Sequence, residues 1–201
     1  MIALYLGLFG LLAFVFGVGI LGWRLQRFPS KENAEKYSRI MHFLFFAGLV
    51  TPGMLWLFYP GLTHLDELVG LDPLPLKRFF LITGVLVALL GLYLLGITNK
   101  SLRDVGSGAN AFRLTKRIVE KDIYQYSRNP MSLGYYLFSL SIGFISGSTF
   151  LTLGVLFGLV PAHIFFLKYF EELELELRFG EPYKEYKQKT PFLVPRFWQN
   201  S

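Results

Sequence analysis

Two polar clusters bracket a stretch of chain without charge, and both contain side chains suited to holding a small ion. The first is Tyr124 to Tyr136, reading Tyr-Gln-Tyr-Ser-Arg-Asn-Pro-Met-Ser-Leu-Gly-Tyr-Tyr, and the second is Glu171-Glu172. Residues 129–167 between them carry no Asp, Glu, Lys or Arg, so Arg128 stands where water meets hydrocarbon. Proline confines the preceding residue to extended geometry and suits a first helical turn, so Asn129-Pro130 predicts a helix start. A guanidinium, an amide side chain and the free N–H groups of a helix start together make an anion site. The glutamates supply acceptors for an ammonium or for hydroxyls. Taken singly, each cluster also has a plain structural reading: Arg128 as a headgroup anchor, the glutamates as the wet face of an interfacial helix.

The elements that must position these groups are membrane spans. The chain has 201 residues, 53% of them hydrophobic, and a mean hydropathy of +0.43, too apolar for a soluble domain of this size. Ile2 to Trp23 is uncharged and long enough to cross about 30 Å of hydrocarbon. No basic segment precedes it, and Trp23-Arg24 makes a poor cleavage site, so it reads as a span and not a signal peptide. Arg24 to Arg39 follows with net charge +3, which keeps it cytoplasmic.

A second span runs from Ile40 to about Leu62, with a kink expected at Thr51-Pro52-Gly53. The loop Thr63 to Arg78 has net charge −1 and is placed outside. Phe79 to Asn99 is the third span, with Gly84, Gly91 and Gly96 permitting close helix approach. Asn99 to Arg128, net +4, is cytoplasmic. The uncharged run 129–167 is about 58 Å long as helix, and Ser146-Gly147-Ser148-Thr149 divides it into a fourth and a fifth span. Five spans put the N-terminus outside and the C-terminus inside, so Arg128 and Glu171-Glu172 meet on the cytoplasmic face. Phe166, Phe170, Leu173 and Leu177 recur at helical spacing beside a face of Lys168, Glu172 and Glu176, predicting an amphipathic C-terminal helix. Gly180 and Pro182 stop it, and Tyr183, Tyr186 and Trp198 suit the membrane interface. The expected fold is thus all-α: a polytopic bundle of five transmembrane helices with a cytoplasmic amphipathic helix. Residues 1–98 form a three-span membrane region, and 99–201 hold both polar clusters, the helical hairpin and the C-terminal tail.

Composition also excludes chemistry. Without cysteine there is no disulfide, thiolate nucleophile, Cys-ligated zinc or iron–sulfur cluster. His42, His64 and His163 lack metal-ligand spacing, so no metal is expected. The formal net charge of +6 sits beside apolar spans, which suits anionic lipid headgroups and not nucleic acid.

Arg-Asn-Pro-Met (Arg128 to Met131) followed by Gly134, then a hydrophobic hairpin, then Glu-Glu-Leu-x-Leu-x-x-x-Phe-Gly-x-x-Tyr-x-x-Tyr (Glu171 to Tyr186), resembles the isoprenylcysteine carboxyl methyltransferase and phospholipid methyltransferase superfamily of integral membrane enzymes. The resemblance covers the chain from Leu102 onward. It implies that Tyr124, Gln125, Tyr126, Ser127, Arg128, Asn129, Pro130, Met131 and Gly134, with Glu171 and Glu172, bind S-adenosylmethionine. It further implies catalytic roles for Glu172, Arg128 and Arg103. Leu102-Arg103 and Gly108 to Phe112 look like the stretch that precedes the motif in the prenylcysteine branch. Those enzymes read Arg-His-Pro-x-Tyr-x-Gly, where this chain has Asn129 and Ser132. Asn129 matches the phospholipid and bacterial branches, whereas Ser132 removes a ring contact. Gly106-Ser107-Gly108 neither follows a strand nor completes a dinucleotide fingerprint.

Methyl transfer to a lipid or lipidated acceptor is an in-line displacement in which protein mainly aligns two ligands and excludes water. A carboxylate acceptor needs only holding, by Arg103 or Lys168; an amine must lose a proton, for which Glu172 or Glu171 is the acceptor. Two other classes fit parts of the pattern. A membrane sterol- or steroid-type reductase has a similar Arg-x-Pro-x-x-x-Gly and uses NADPH, and a non-catalytic membrane partner or small transporter needs no cofactor at all.

Overall fold

The computed structural model describes residues 2–58, 61–62, 64–104 and 117–195. The segment Gly106 to Phe112 and Trp198 lie outside the described residues. Among the described ones every regular element is helical, with no strand.

Helix α1 is Ile2–Arg27. Ser30 caps the next helix through its hydroxyl, which accepts from Asn33 N–H at 3.0 Å. That helix, α2, joins the α-helical Lys31–Phe45, a π-helical turn Phe46–Val50 and the α-helical Thr51–Phe58. The basic stretch Arg24 to Arg39 is therefore mostly helix, with only residues 28–30 as a turn. Around Pro52 the chain does not break. Proline lacks the N–H that would bond one turn back, and the turn before it widens instead, with Thr51 N–H reaching Phe46 O. Such π-turns commonly absorb this kind of mismatch.

A short helix α3, His64–Val69, lies in the loop before α4, Lys77–Asp104. Asp66 is buried and its carboxylate accepts from Phe150 N–H at 2.6 Å. Thr149 donates to Asp72 O and Leu74 N–H donates to Gly147 O. This loop clasps the turn of the hairpin that follows.

The hairpin is α5, Pro130–Ser146, and α6, Thr149–Phe179. Gly147 turns the chain at φ 71°, a backbone region that disfavours a side chain. Ser148 then caps α6 by accepting from Leu151 N–H, so the sequence division at 146–149 holds. Helix α6 is continuous through two π-turns, Gly154–Leu159 and Leu167–Glu171. What the sequence suggested as a separate tail helix is the continuation of this span. Gly180 (φ 65°) does end it. Pro182, however, stands in the first turn of a further helix, α7, Glu181–Lys189, a position where its missing N–H costs nothing.

Four of the described helices, α1, α2, α4 and α6, are long and apolar enough to cross a membrane. The chain is an integral membrane protein. At 17 residues, α5 is about 26 Å long, at the short end of what crosses hydrocarbon, and it packs along α4 through Gly91 against Gly134 and Phe138, and Gly84 against Phe144 and Ile145. The other half of the bundle is a core from α1, α2 and α6: Phe14, Val18, Leu25, Met41, Phe166, Leu167 and Phe170 are all buried. Leu173 and Leu177 pack on its edge, so the apolar stripe read from spacing is real. Outward-facing Phe16, Ile82, Leu86 and Leu89 are exposed, as befits a surface solvated by lipid.

Candidate active site

The start of α5 and the C-terminal part of α6 bring the two polar clusters into contact. Pro130 occupies the first turn of α5 as the sequence predicts. Arg128 Nη1 lies 2.9 Å from Glu172 Oε1, and the side chains are only 10% and 13% exposed. The contact is an ion pair without hydrogen-bond alignment, for Arg128 Nε and Nη1 and Glu172 Oε1 are buried with no hydrogen-bond partner. Buried polar atoms are ordinarily satisfied. Here two donors and one acceptor lie within one ion-paired cluster without a hydrogen bond. A carboxylate suits the first and an ammonium or hydroxyl the second.

A residue the sequence did not single out, Lys187, completes the cluster. Gly180 reverses the chain so that α7 returns along α6, and Lys187 reaches Glu172 Oε2 at 2.7 Å and Glu176 Oε1 at 2.9 Å. No periodicity could flag it, since Lys187 and Glu172 lie on different helices. Tyr183 and Tyr186, expected at the membrane interface, are buried. Tyr186 donates to Tyr124 O at 2.7 Å. Burial raises the Tyr183 phenol above its ordinary range; the charges of Glu171 and Glu172 add to this, and Arg128 opposes it. The Tyr124 phenol is raised by burial and then by Glu171. Both rings are therefore neutral donors at physiological pH.

A strap of chain, residues 190–195, closes over the motif. Arg128 N–H donates to Pro191 O at 2.9 Å, Ser127 Oγ to Leu193 O at 2.8 Å, and Asn129 Nδ2 to Phe192 O at 2.9 Å. Asn129 N–H is taken by Ser127 Oγ. These bonds occupy the backbone N–H groups of 128 and 129 and the Asn129 side-chain amide, and leave the Arg128 guanidinium outside the strap's hydrogen bonds. The Phe192 ring lies against two cations, Arg128 at 5.7 Å and Lys168 at 4.8 Å.

The remaining expected residues are dispersed. Tyr124 is buried beneath Tyr186, Tyr126 is half-buried and Gln125 exposed. Ser127 and Asn129 serve the strap. Gly134 lies at the α4–α5 crossing, where an added Cβ would meet Gly91 O at 3.1 Å. Met131 and Glu171 are half-buried. Arg103 is exposed on the last turn of α4, next to the undescribed residues 105–116. Outside the cluster, Glu174 and Arg178 form a buried pair at 2.6 Å that fixes the end of α6. His163 is buried with Nδ1 2.8 Å from Tyr136 OH. Among the described residues no group of His, Asp or Glu is disposed to hold a metal.

Comparison with curated proteins returns no match, and comparison with solved structures returns none. The family model of the phospholipid methyltransferases matches residues 79–182, more than half of the chain. The matched stretch starts within α4 and so includes the helix pair on which Gly91 and Gly134 meet, as well as Arg128, Glu171 and Glu172. With both polar clusters inside one matched domain of membrane helices, the chain belongs to the phospholipid methyltransferase family.

Proposed function

We propose that the protein is an S-adenosylmethionine-dependent methyltransferase that acts on a lipid-like acceptor at the cytoplasmic membrane face. The acceptor is a phospholipid amine or a prenylcysteine-type carboxylate. The observation that carries this reading is the buried Arg128–Glu172 ion pair, in which three polar atoms make no hydrogen bond. The residues fit the cofactor: Arg128 Nε and Nη1 suit its amino-acid carboxylate, and Glu172 Oε1 its ammonium or a ribose hydroxyl. When bound, S-adenosylmethionine supplies a methyl group already activated by the sulfonium.

The chain's own work is then placement. Arg128 and Glu172 are fixed from opposite sides, by Pro191 on the backbone of one and Lys187 on the carboxylate of the other. Ordering them beforehand removes entropy that binding would otherwise cost. The strap, with Phe192 over Arg128, keeps water from the cluster. For an amine acceptor, Glu172 or Glu171 takes the proton lost before attack; for a carboxylate acceptor no proton moves, and Lys168 is placed to hold it. The N-terminus outside and C-terminus inside complete this reading, because Arg24 to Arg39 and the residues before Arg128 are basic.

Calorimetric titration of the purified chain with S-adenosylmethionine and with NADPH tests the assignment. Saturable S-adenosylmethionine binding is expected, weakened about ten- to a hundredfold in Glu172→Gln by loss of a charged hydrogen-bond partner. Saturable NADPH binding without S-adenosylmethionine binding would instead assign the fold to a reductase, and a Glu172→Gln variant with unchanged cofactor affinity would remove the carboxylate from the site.

A further inference from the structure

No ligand can reach the Arg128–Glu172 pair from water in the arrangement described above. Arg128 Nε and Nη1 and Glu172 Oε1 are fully buried, and none of the three makes a hydrogen bond. Such atoms are rare in folded proteins and costly to keep. A ligand that bonds to them therefore needs one of their covers to move.

The cluster is covered by α7 and by the strap, residues 190–195. Helix α7 is fastened through its own side chains, Lys187 on Glu172 and Glu176 at 2.7 and 2.9 Å and Tyr186 on Tyr124 O at 2.7 Å. The strap has no regular structure. It leaves α7 at Thr190, whose extended backbone (φ −109°, ψ 130°) ends the helix. Three consecutive strap carbonyls sit on three consecutive motif residues: Pro191 O accepts from Arg128 N–H, Phe192 O from Asn129 Nδ2 and Leu193 O from Ser127 Oγ, at 2.8 to 2.9 Å. The Phe192 ring adds its contacts to Arg128 and Lys168. None of these hydrogen bonds uses Arg128 Nε or Nη1 or Glu172 Oε1, so strap and ligand do not compete for the same atoms. A few bonds on one short segment break and re-form together more readily than a helix unfolds, and loops of this kind gate many buried sites.

We propose that residues 190–195 are a lid hinged at Thr190, which lifts to admit a ligand to Arg128 and Glu172 and recloses over it through the same three bonds. That the ligand is S-adenosylmethionine rests on the methyltransferase reading; the lid itself does not.

Two measurements on the full chain in lipid nanodiscs test this. Hydrogen exchange resolved at single amides reads the lid without a ligand. The Arg128 N–H, bonded to Pro191 O, should exchange more than about tenfold faster than the N–H groups of Glu185 to Gln188 within α7, and S-adenosylmethionine should slow it. Stopped-flow binding then reads passage. Phe192→Ala, which strips the ring from both cations and keeps the backbone bonds, should raise the association and dissociation rates of S-adenosylmethionine together by about tenfold, so that affinity changes less than either rate. Val194→Ala, at an exposed strap side chain, should change neither rate. An Arg128 N–H that exchanges only in step with α7, or a Phe192→Ala chain that alters the dissociation rate alone or neither rate, makes the strap a fixed wall and overturns the proposal. A fast-exchanging Arg128 N–H in a chain that takes up no S-adenosylmethionine supports the lid and overturns the methyltransferase reading.

Discussion

Glu172 faces two cations, and the difference between them is instructive. Arg128 approaches Oε1 without hydrogen-bond alignment, while Lys187 bonds to Oε2 and to Glu176. Lys187 therefore fixes the carboxylate, and in the proposed site Arg128 offers the ligand the donors that make no hydrogen bond here. Burial lowers the Lys187 ammonium pKa, but hydrogen bonds to Glu172 and Glu176 outweigh it, so the net shift is upward. A pKa raised on folding stabilises the fold below the unfolded value and loses that contribution as pH rises through the folded one. Wild type should exceed Lys187→Met in thermal stability by a constant margin at neutral pH. Thermal scans should show the margin shrinking above about pH 10.5, where unfolded lysine titrates. A margin that instead disappears in acid would mean that Lys187 acts by some other route.

At the scale of elements, the site depends on two junctions. One is the α4–α5 crossing, which holds the Arg128 end of α5 in place. Without a hydrophobic force between helices in lipid, close backbone contact at small residues supplies the association. A Cβ at Gly91 would lie 2.8 Å from Phe138 N, a backbone atom that cannot swing aside, whereas one at Gly96 meets nothing within 4 Å. Gly91→Ala should lower stability by about 1–3 kcal/mol. Gly96→Ala should raise it by roughly 0.5–1 kcal/mol through helix propensity. Unfolding of both variants in one detergent checks the contrast, and equal effects would remove the crossing from the account. The other junction is Gly180, whose left-handed φ folds α7 back so that Lys187, Tyr183 and Tyr186 cover the cluster.

For the molecule as a whole, the proposed topology places the α1–α2 turn and α7 on one side and the α3 loop on the other. The absence of cysteine makes single-cysteine labelling clean. In sealed vesicles of cytoplasmic-side-in orientation, Asp72→Cys should react with an impermeant maleimide, and Glu32→Cys and Lys189→Cys only after permeabilisation. Reaction of all three from one side would dismantle the arrangement. The sequence by itself determined the membrane class, the hairpin turn at Ser146 to Thr149, the helix start at Pro130 and the pairing of Arg128 with the glutamates. Each of these follows from local chemistry: hydropathy, a restricted φ, a cap, or charges abutting one uncharged run. Tertiary structure decided which glutamate meets Arg128, the clasp by Asp66, the strap over Ser127 and Asn129, and the return of Lys187. Those contacts join residues far apart in the chain, and their existence depends on π-turns and a glycine turn that set helix direction, a property no window of sequence carries.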